Sequence, residues 1–165
     1  VGTITDTLQC LEQLKVRTIA RRVFEKNSKA MVLMNMGQLF IGKNSKGENL
    51  RPYAPWKMED GTEYADFKEE LNPRPGWGNP DLKLTGSFYK GMFAKLEGDN
   101  IIQDSTDKKS EWLKKHYDGD DSELPLDGES NIFGLTDENH VHFVQEVYYP
   151  DFKKEIQAVT GLNLK

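Results

Sequence analysis

Asp104, Ser105 and His116 are the side chains a hydrolytic triad would need: an orienting carboxylate, a nucleophile and a base. Their setting argues against that chemistry. Ser105 and His116 fall on adjacent local elements, no strand-to-helix elbow surrounds the serine, and no oxyanion hole is legible. Ser105-Thr106 as a helix cap accounts for the same residues, so no catalytic residue is expected. His140 and His142 would share a face on a strand and could form a metal pair. Their segment reads as helix, where this spacing turns the two side chains apart by roughly 200°, and no carboxylate or cysteine motif completes a tetrahedral site. Asp118, Asp120, Ser122 and Glu129 match positions one, three, five and twelve of a calcium loop. Glu123 stands where that loop needs glycine, and Pro125 interrupts it, so a solvated acidic loop is expected. Gly76-Trp77-Gly78-Asn79-Pro80 lacks the spacing and the Lys-Ser/Thr of a phosphate loop and reads as a tight turn presenting Trp77. No metal and no cofactor are expected. A calcium-dependent binding module on Asp118, Asp120 and Glu129, and a small hydrolase on Ser105 and His116, stand as alternatives.

Composition points the same way. The 165 residues suit one domain. A 36% hydrophobic and 30% charged chain has a well-solvated surface and a lean core, which leaves part of the stability to neighbouring subunits. A net charge of −5, from 22 basic and 27 acidic residues, argues against binding driven by phosphate neutralisation. Lys15, Arg17, Arg21, Arg22, Lys26 and Lys29 form a basic exception and read as the solvent face of an amphipathic helix. The single cysteine, Cys10, excludes an intrachain disulfide and makes a reducing compartment the default. No apolar run reaches the roughly 20 residues that cross a bilayer, and Val1 to Thr7 lack the blocks of a signal peptide. A soluble protein made inside a cell is expected.

The elements follow from periodicity and punctuation. Residues from about Thr5 to Phe40 read as helix, with Leu8, Leu11, Leu14, Ile19 and Val23 as one stripe. Asn27-Ser28 reads as the end of one helix and the cap of the next, which carries Met31, Leu33, Met34, Met36, Leu39 and Phe40. Gly42 and Gly47 bracket a turn. From Glu48 to Pro80 the chain holds five of the seven prolines, with Tyr53, Trp56, Tyr64, Phe67 and Trp77 between them. Such a segment drapes over a surface, with a short helix between Trp56 and Leu71. Leu84 to Thr106 reads as a hairpin around Glu97-Gly98-Asp99-Asn100. A short helix from Asp107 to Tyr117 follows, with Trp112 and Leu113 facing inward. Thr136 caps a last helix through Val141, Val144, Val147 and Tyr148, with a kink or fresh start at Pro150 and an end at Gly161. The chain divides into N-terminal helices (1–42), a Pro/aromatic extended segment (43–83), and hairpin, short helix and C-terminal helix (84–165).

Four motifs, in this order, resemble the phage virion-morphogenesis and tail-completion proteins, in the version common in phages of Bacteroides-type bacteria. They are Gln38 to Tyr53, a helix end with a glycine-punctuated turn; Leu84-Thr85-Gly86-Ser87-Phe88; Asp104-Ser105-Thr106-Asp107; and Ile132-Phe133-Gly134-Leu135-Thr136-Asp137-Glu138. The similarity spans about residues 28–160. The acidic stretch from Asp118 to Asn131 and the Pro/aromatic segment depart from it. The resemblance implies an α+β fold, a twisted and mainly antiparallel sheet with helices packed on it. It implies a homo-oligomeric ring at the neck of the virion, in contact with portal or adaptor and with tail tube or hub, with no catalysis, cofactor, membrane or sequence-specific nucleic acid. Assembly in the bacterial host cytoplasm goes with it. A ring subunit exposes patches that only its neighbours cover, and the contact residues expected are Phe88, Tyr89, Met92 and Phe93 in the hairpin, with Trp56 and Trp77 in the aromatic segment.

Overall fold

The computed structural model describes residues 15–50, 53, 57–71, 80–118 and 132–161. Its spine is α1, Val16–Phe40, which buries Ile19, Val23, Phe24, Met31, Val32, Asn35, Gln38 and Leu39 along one stripe. The break expected at Asn27-Ser28 does not occur. The Asn27 amide donates back to the Val23 carbonyl at 3.0 Å, and the Ser28 hydroxyl to that of Glu25 at 3.0 Å. Both side chains bond within the helix, so neither ends it. The actual end is set by Gly42, at φ 76°. Its N–H bonds the Leu39 carbonyl and the Lys43 N–H bonds that of Gln38, the paired closure of a Schellman motif. The expected Gly42–Gly47 turn follows. Asn44 organises it, its Oδ1 accepting from the N–H groups of Lys46 and Glu48, and the return delivers Leu50 to the core.

After α2 (Tyr64–Leu71) comes α3 (Ser87–Gly91), a single turn where strand was expected. Gly86 (φ 81°) and Gly91 bracket it, and it releases directly into β1 (Met92–Glu97). This strand pairs antiparallel with β2 (Asn100–Ser105), from Met92 opposite Ser105 to Glu97 opposite Asn100. The loop is the expected Gly98-Asp99. Gly98 at φ 62° with no positive φ at Asp99 is the pattern of a type II′ turn, whose twist matches the strands.

The next helix, α4 (Ser110–Asp118), starts later than expected. Ser105 does not cap it. The Asp107 carboxylate accepts from the Lys109 N–H at 2.8 Å and the Asp107 carbonyl from the Ser110 N–H. Leu113 faces inward as expected, but Trp112 is 46% exposed and stacks on His116 one turn along, with centroids 5.0 Å apart.

The C-terminal helical run holds α5 (Asp137–His142), a π-helical stretch (Phe143–Tyr148) and α6 (Tyr149–Thr160). Thr136 caps it as expected, its hydroxyl accepting from the Asn139 N–H. At Pro150, where a kink or new start was expected, the helix continues. The wider π turn immediately precedes the proline, which has no N–H to give an α-helical partner.

The fold is therefore α+β, with helices at both ends of the described chain and an antiparallel sheet of two strands among the described residues. Three apolar clusters line up along α1. Ile19 and Val23 pack on Ile156 of α6. Phe24 and Met31 pack on Phe143, with Ala94 and Leu96 of β1 against them. Leu39 joins Leu50, Phe88, Tyr89, Leu113, Tyr117, Ile132 and Phe133.

Candidate functional site

The hairpin is the first place to look for a contact surface. The Thr106 N–H bonds the Gly91 carbonyl at 3.0 Å, which extends the ladder by one hydrogen-bonded pair. In an antiparallel ladder such pairs alternate with non-bonded ones. The register then turns the main-chain groups of Met92, Ala94 and Leu96 outward on β1, and those of Ile101, Gln103 and Ser105 outward on β2. The Met92 N–H reaches the Tyr89 carbonyl, and the Asp104 carboxylate takes the Ser105 N–H at 2.7 Å. The outward N–H groups of Ala94, Leu96, Ile101 and Gln103 have no partner among the described residues. Both edges of the sheet are open there.

The two faces differ. Ala94 and Leu96 point into the helical layer. Phe93, Lys95, Glu97, Ile102 and Asp104 share the other face through the register, with the Lys95 ammonium 5.5 Å from the Phe93 ring. Ile101, beside the open edge of β2, is 46% exposed.

The expected contact residues divide accordingly. Phe88 and Tyr89 lie in the chain's own core, at 4% and 8% exposure, because the one-turn helix α3 rolls them inward. Phe88 packs on Phe133, and the Tyr89 hydroxyl donates to the Asp81 carbonyl. Met92 is half-buried against the same cluster. Phe93 alone of the four stands on the outer face of the hairpin. Trp56 and Trp77 lie outside the described residues.

A cleft of about 480 Å³ opens between α2, α3 and α4. Tyr53, Tyr64, Phe88, Trp112 and Tyr117 supply its rings. Behind them sits an ion pair that patterning did not reveal. Lys68 and Asp81 are 3% and 1% exposed, with Nζ 3.1 Å from Oδ1. The Lys68 ammonium also donates to the Lys83 carbonyl. The Asp81 carboxylate accepts from the Tyr53 hydroxyl at 3.1 Å and from the Lys83 N–H at 3.0 Å. Burial pushes the Tyr53 and Tyr117 hydroxyls far above the ordinary tyrosine range, so both remain protonated donors at physiological pH.

Asn35 and Gln38, polar and buried on α1, were also not foreseen. The Asn35 amide donates to the carbonyls of Ile132 and Gly134. Gln38 donates to Gly134 at 2.7 Å and accepts from the Thr136 N–H and the Asn139 amide. Together they fasten the 132–136 segment and the start of α5 to the spine.

The side chains of the hydrolytic alternative are held in other bonds. The Ser105 hydroxyl donates to the Phe88 carbonyl at 2.8 Å and accepts from the Asp107 N–H. The Asp104 carboxylate is held by Ser110 and by Lys114 at 2.8 Å. Burial works to raise the Asp104 pKa, but the hydrogen bonds from Lys114, the Ser105 N–H and Ser110 outweigh it and hold the carboxyl below its ordinary value. His116 lies between the rings of Trp112 and Tyr117. No group of three His, Cys, Asp or Glu side chains gathers for a metal ion among the described residues. Of the calcium-loop residues, Asp120, Ser122 and Glu129 lie outside them.

The basic face of α1 is less idle than expected. Arg17 bonds the Asp99 carboxylate and Arg21 the Gly98 carbonyl at the hairpin tip. Arg22 pairs with Glu155, and Lys26 with Asp151 at 3.0 Å. Exposed pairs of this kind add little stability each, but they fix the direction of the tip relative to α1. No helix among the described residues is long and apolar enough to cross a membrane. The chain matches no protein-family model, no curated protein and no solved structure.

Proposed function

We propose that this chain is a non-enzymatic structural subunit of a phage virion, of the neck or tail-completion type. It closes into a ring that joins the portal or adaptor to the tail, and it is assembled in the bacterial host cytoplasm. The observation that carries the reading is the two-stranded hairpin with open edges. A sheet of two strands is marginal alone, and an unprotected edge is a template for another chain. Here the inner face is anchored to α1 and the root is locked by buried Phe88 and Tyr89. The edges and the Phe93–Ile102 face are thus held out on a rigid support. A contact made head-to-tail by such a surface generates a ring when its rotation closes. The order of the four sequence motifs supports the same reading, and the acidic balance fits a subunit whose partners are proteins.

Phe93, Ile101, Trp56 and Trp77 are the contact residues of this proposal. Phe88 and Tyr89 support the hairpin from inside. Sedimentation velocity tests it. Ile101→Lys places a charge at the open β2 edge, and Trp77→Ala removes a large ring. Each is expected to keep the helical circular dichroism of the parent and shift the protein from ring to monomer. Unaltered assembly in both variants refutes the proposal, as does a parent that stays monomeric.

A further inference from the structure

The β2 edge borders a second cavity, of about 260 Å³, between the hairpin, α1 and the π-helical stretch. Its walls include Phe24, Met31, Leu96, Phe143 and Val144, with Ile101 beside them. Phe24, Met31 and Phe143 are buried, whereas Ile101 and Val144 are exposed. Ile101 is also a residue whose main-chain groups point out of the sheet. An open strand edge and an apolar hollow therefore lie side by side. That arrangement captures an added strand: main-chain bonds hold it, and alternate side chains enter the hollow.

The charges give such a strand a direction. Arg17, Arg21 and Asp99 line the cavity where it meets the hairpin tip. Asp99 is taken by Arg17. Arg21 donates to the Gly98 carbonyl and pairs with no carboxylate among the described residues, so one positive charge is left over at the tip. β2 runs from the tip at Asn100 to the root at Ser105. A strand added antiparallel runs from root to tip, and its later residues arrive at Arg21. The strand that fits carries an apolar side chain opposite Ile101 and a carboxylate two residues later on the same face.

This chain has that pattern in Ile4-Thr5-Asp6, with β-branched Thr3 and Thr5 around the isoleucine. Where it recurs among the described residues, as at Val23, Tyr64, Val144 and Tyr149, it belongs to helices. Residues 1–14, which lie outside the described residues, bear two carboxylate side chains and no basic one. They lead into Lys15, the N-cap of α1, and the bond of Arg17 to Asp99 holds that end of α1 at the hairpin tip. The stretch from Asp6 to Lys15 spans up to about 30 Å, enough to reach an adjacent copy. We propose that in the ring Thr3 to Asp6 of one copy pair antiparallel with the β2 edge of the next, with Ile4 in the cavity and Asp6 on Arg21. This exchange presupposes the ring and supplies the piece that covers its β2 edge.

Cross-linking tests this in the full chain, with Cys10→Ser removing the native thiol. Ile4 opposite Ile101 sets Thr3 opposite Ile102 in a non-hydrogen-bonded pair, with about 4.5 Å between Cα atoms, within reach of a disulfide. Thr3→Cys with Ile102→Cys, oxidised in air, is expected to give covalent dimers and higher multiples on non-reducing denaturing gels. Ile4→Lys is expected to disperse the ring as Ile101→Lys does. Asp6→Lys is expected to raise the concentration needed for assembly at least about fivefold at low salt, and Arg21→Glu in the same chain to restore it. A disulfide closed within single chains, or free thiols in an intact ring, overturns the proposal, and so does assembly indifferent to Ile4→Lys. A ring that persists through those results stands on other contacts, whereas a parent that stays monomeric removes the ring and the exchange together.

Discussion

Replacing Lys68 by Met is the sharpest perturbation of the described core. The ammonium lies 3.1 Å from the Asp81 carboxylate, with both side chains almost wholly removed from water. Methionine matches the aliphatic stem and deletes the charge. Asp81 would keep its bonds from the Tyr53 hydroxyl and the Lys83 N–H, but its charge would lose the Lys68 ammonium, and the Lys83 carbonyl would lose its donor. Breaking one side of a buried pair costs about 3–5 kcal/mol. The bonds from Tyr53 and the Lys83 N–H that survive at Asp81 place this variant near the lower figure, about 3 kcal/mol. Asp81→Asn should cost a similar amount, because it leaves the buried Lys68 charge beside a neutral amide. In the double variant neither charge remains, so its cost should fall short of the sum by about 2 kcal/mol. Urea unfolding followed at the helical dichroism band measures all four proteins, with the slopes checked for equality. Single losses below about 1 kcal/mol, or strict additivity, would show that the pair is neither buried nor coupled as described.

Other parts of the fold make equally definite predictions. Gln38→Ala strands the Thr136 N–H and the Asn139 amide; a loss of about 2–3 kcal/mol is expected, with amide exchange accelerating first at the start of α5. Gly91→Ala should cost about 2 kcal/mol or more, because a Cβ there would lie 2.7 Å from the Ser105 hydroxyl and 3.0 Å from the Asp107 nitrogen. Gly98→Ala meets open space and only the strain of a positive φ, so thermal denaturation should register about 1 kcal/mol. The carboxyls of Asp104, Asp107 and Asp151 all titrate below their ordinary value in the folded chain. The unfolded state binds the more protons as acid is added, so their contribution is complete above about pH 5 and is lost on acidification through the folded values. The melting temperature should fall on that limb, and Asp104→Asn should flatten it.

What could be read in advance was local. Thr136 as a cap, Gly161 as a stop and Gly98-Asp99 as a hairpin loop are fixed by chemistry within a few residues, and each appears where expected. Phe88-Tyr89 was misread because an apolar pair fits a strand or a single helical turn equally well; Gly86 opens the turn at φ 81°, and Gly91 closes it where a Cβ would crowd Ser105 and Thr106. Trp112 was expected inside on apolarity alone, yet its ring finds His116 one turn along the same helix. The buried polar groups left no pattern at all. Lys68 and Asp81 are separated by a proline-rich stretch, and Asn35 and Gln38 look like any polar residues of a helix until the 132–136 segment is laid against them. The cleft is made by those same long-range contacts, so no short motif announces it.

Native mass spectrometry of the purified full chain over rising concentration probes the assembly role most directly. A single closed stoichiometry, with Ile101→Lys yielding folded monomer under the same conditions, is the predicted result. A lone monomer throughout, or an open ladder of sizes indifferent to that substitution, would contradict it.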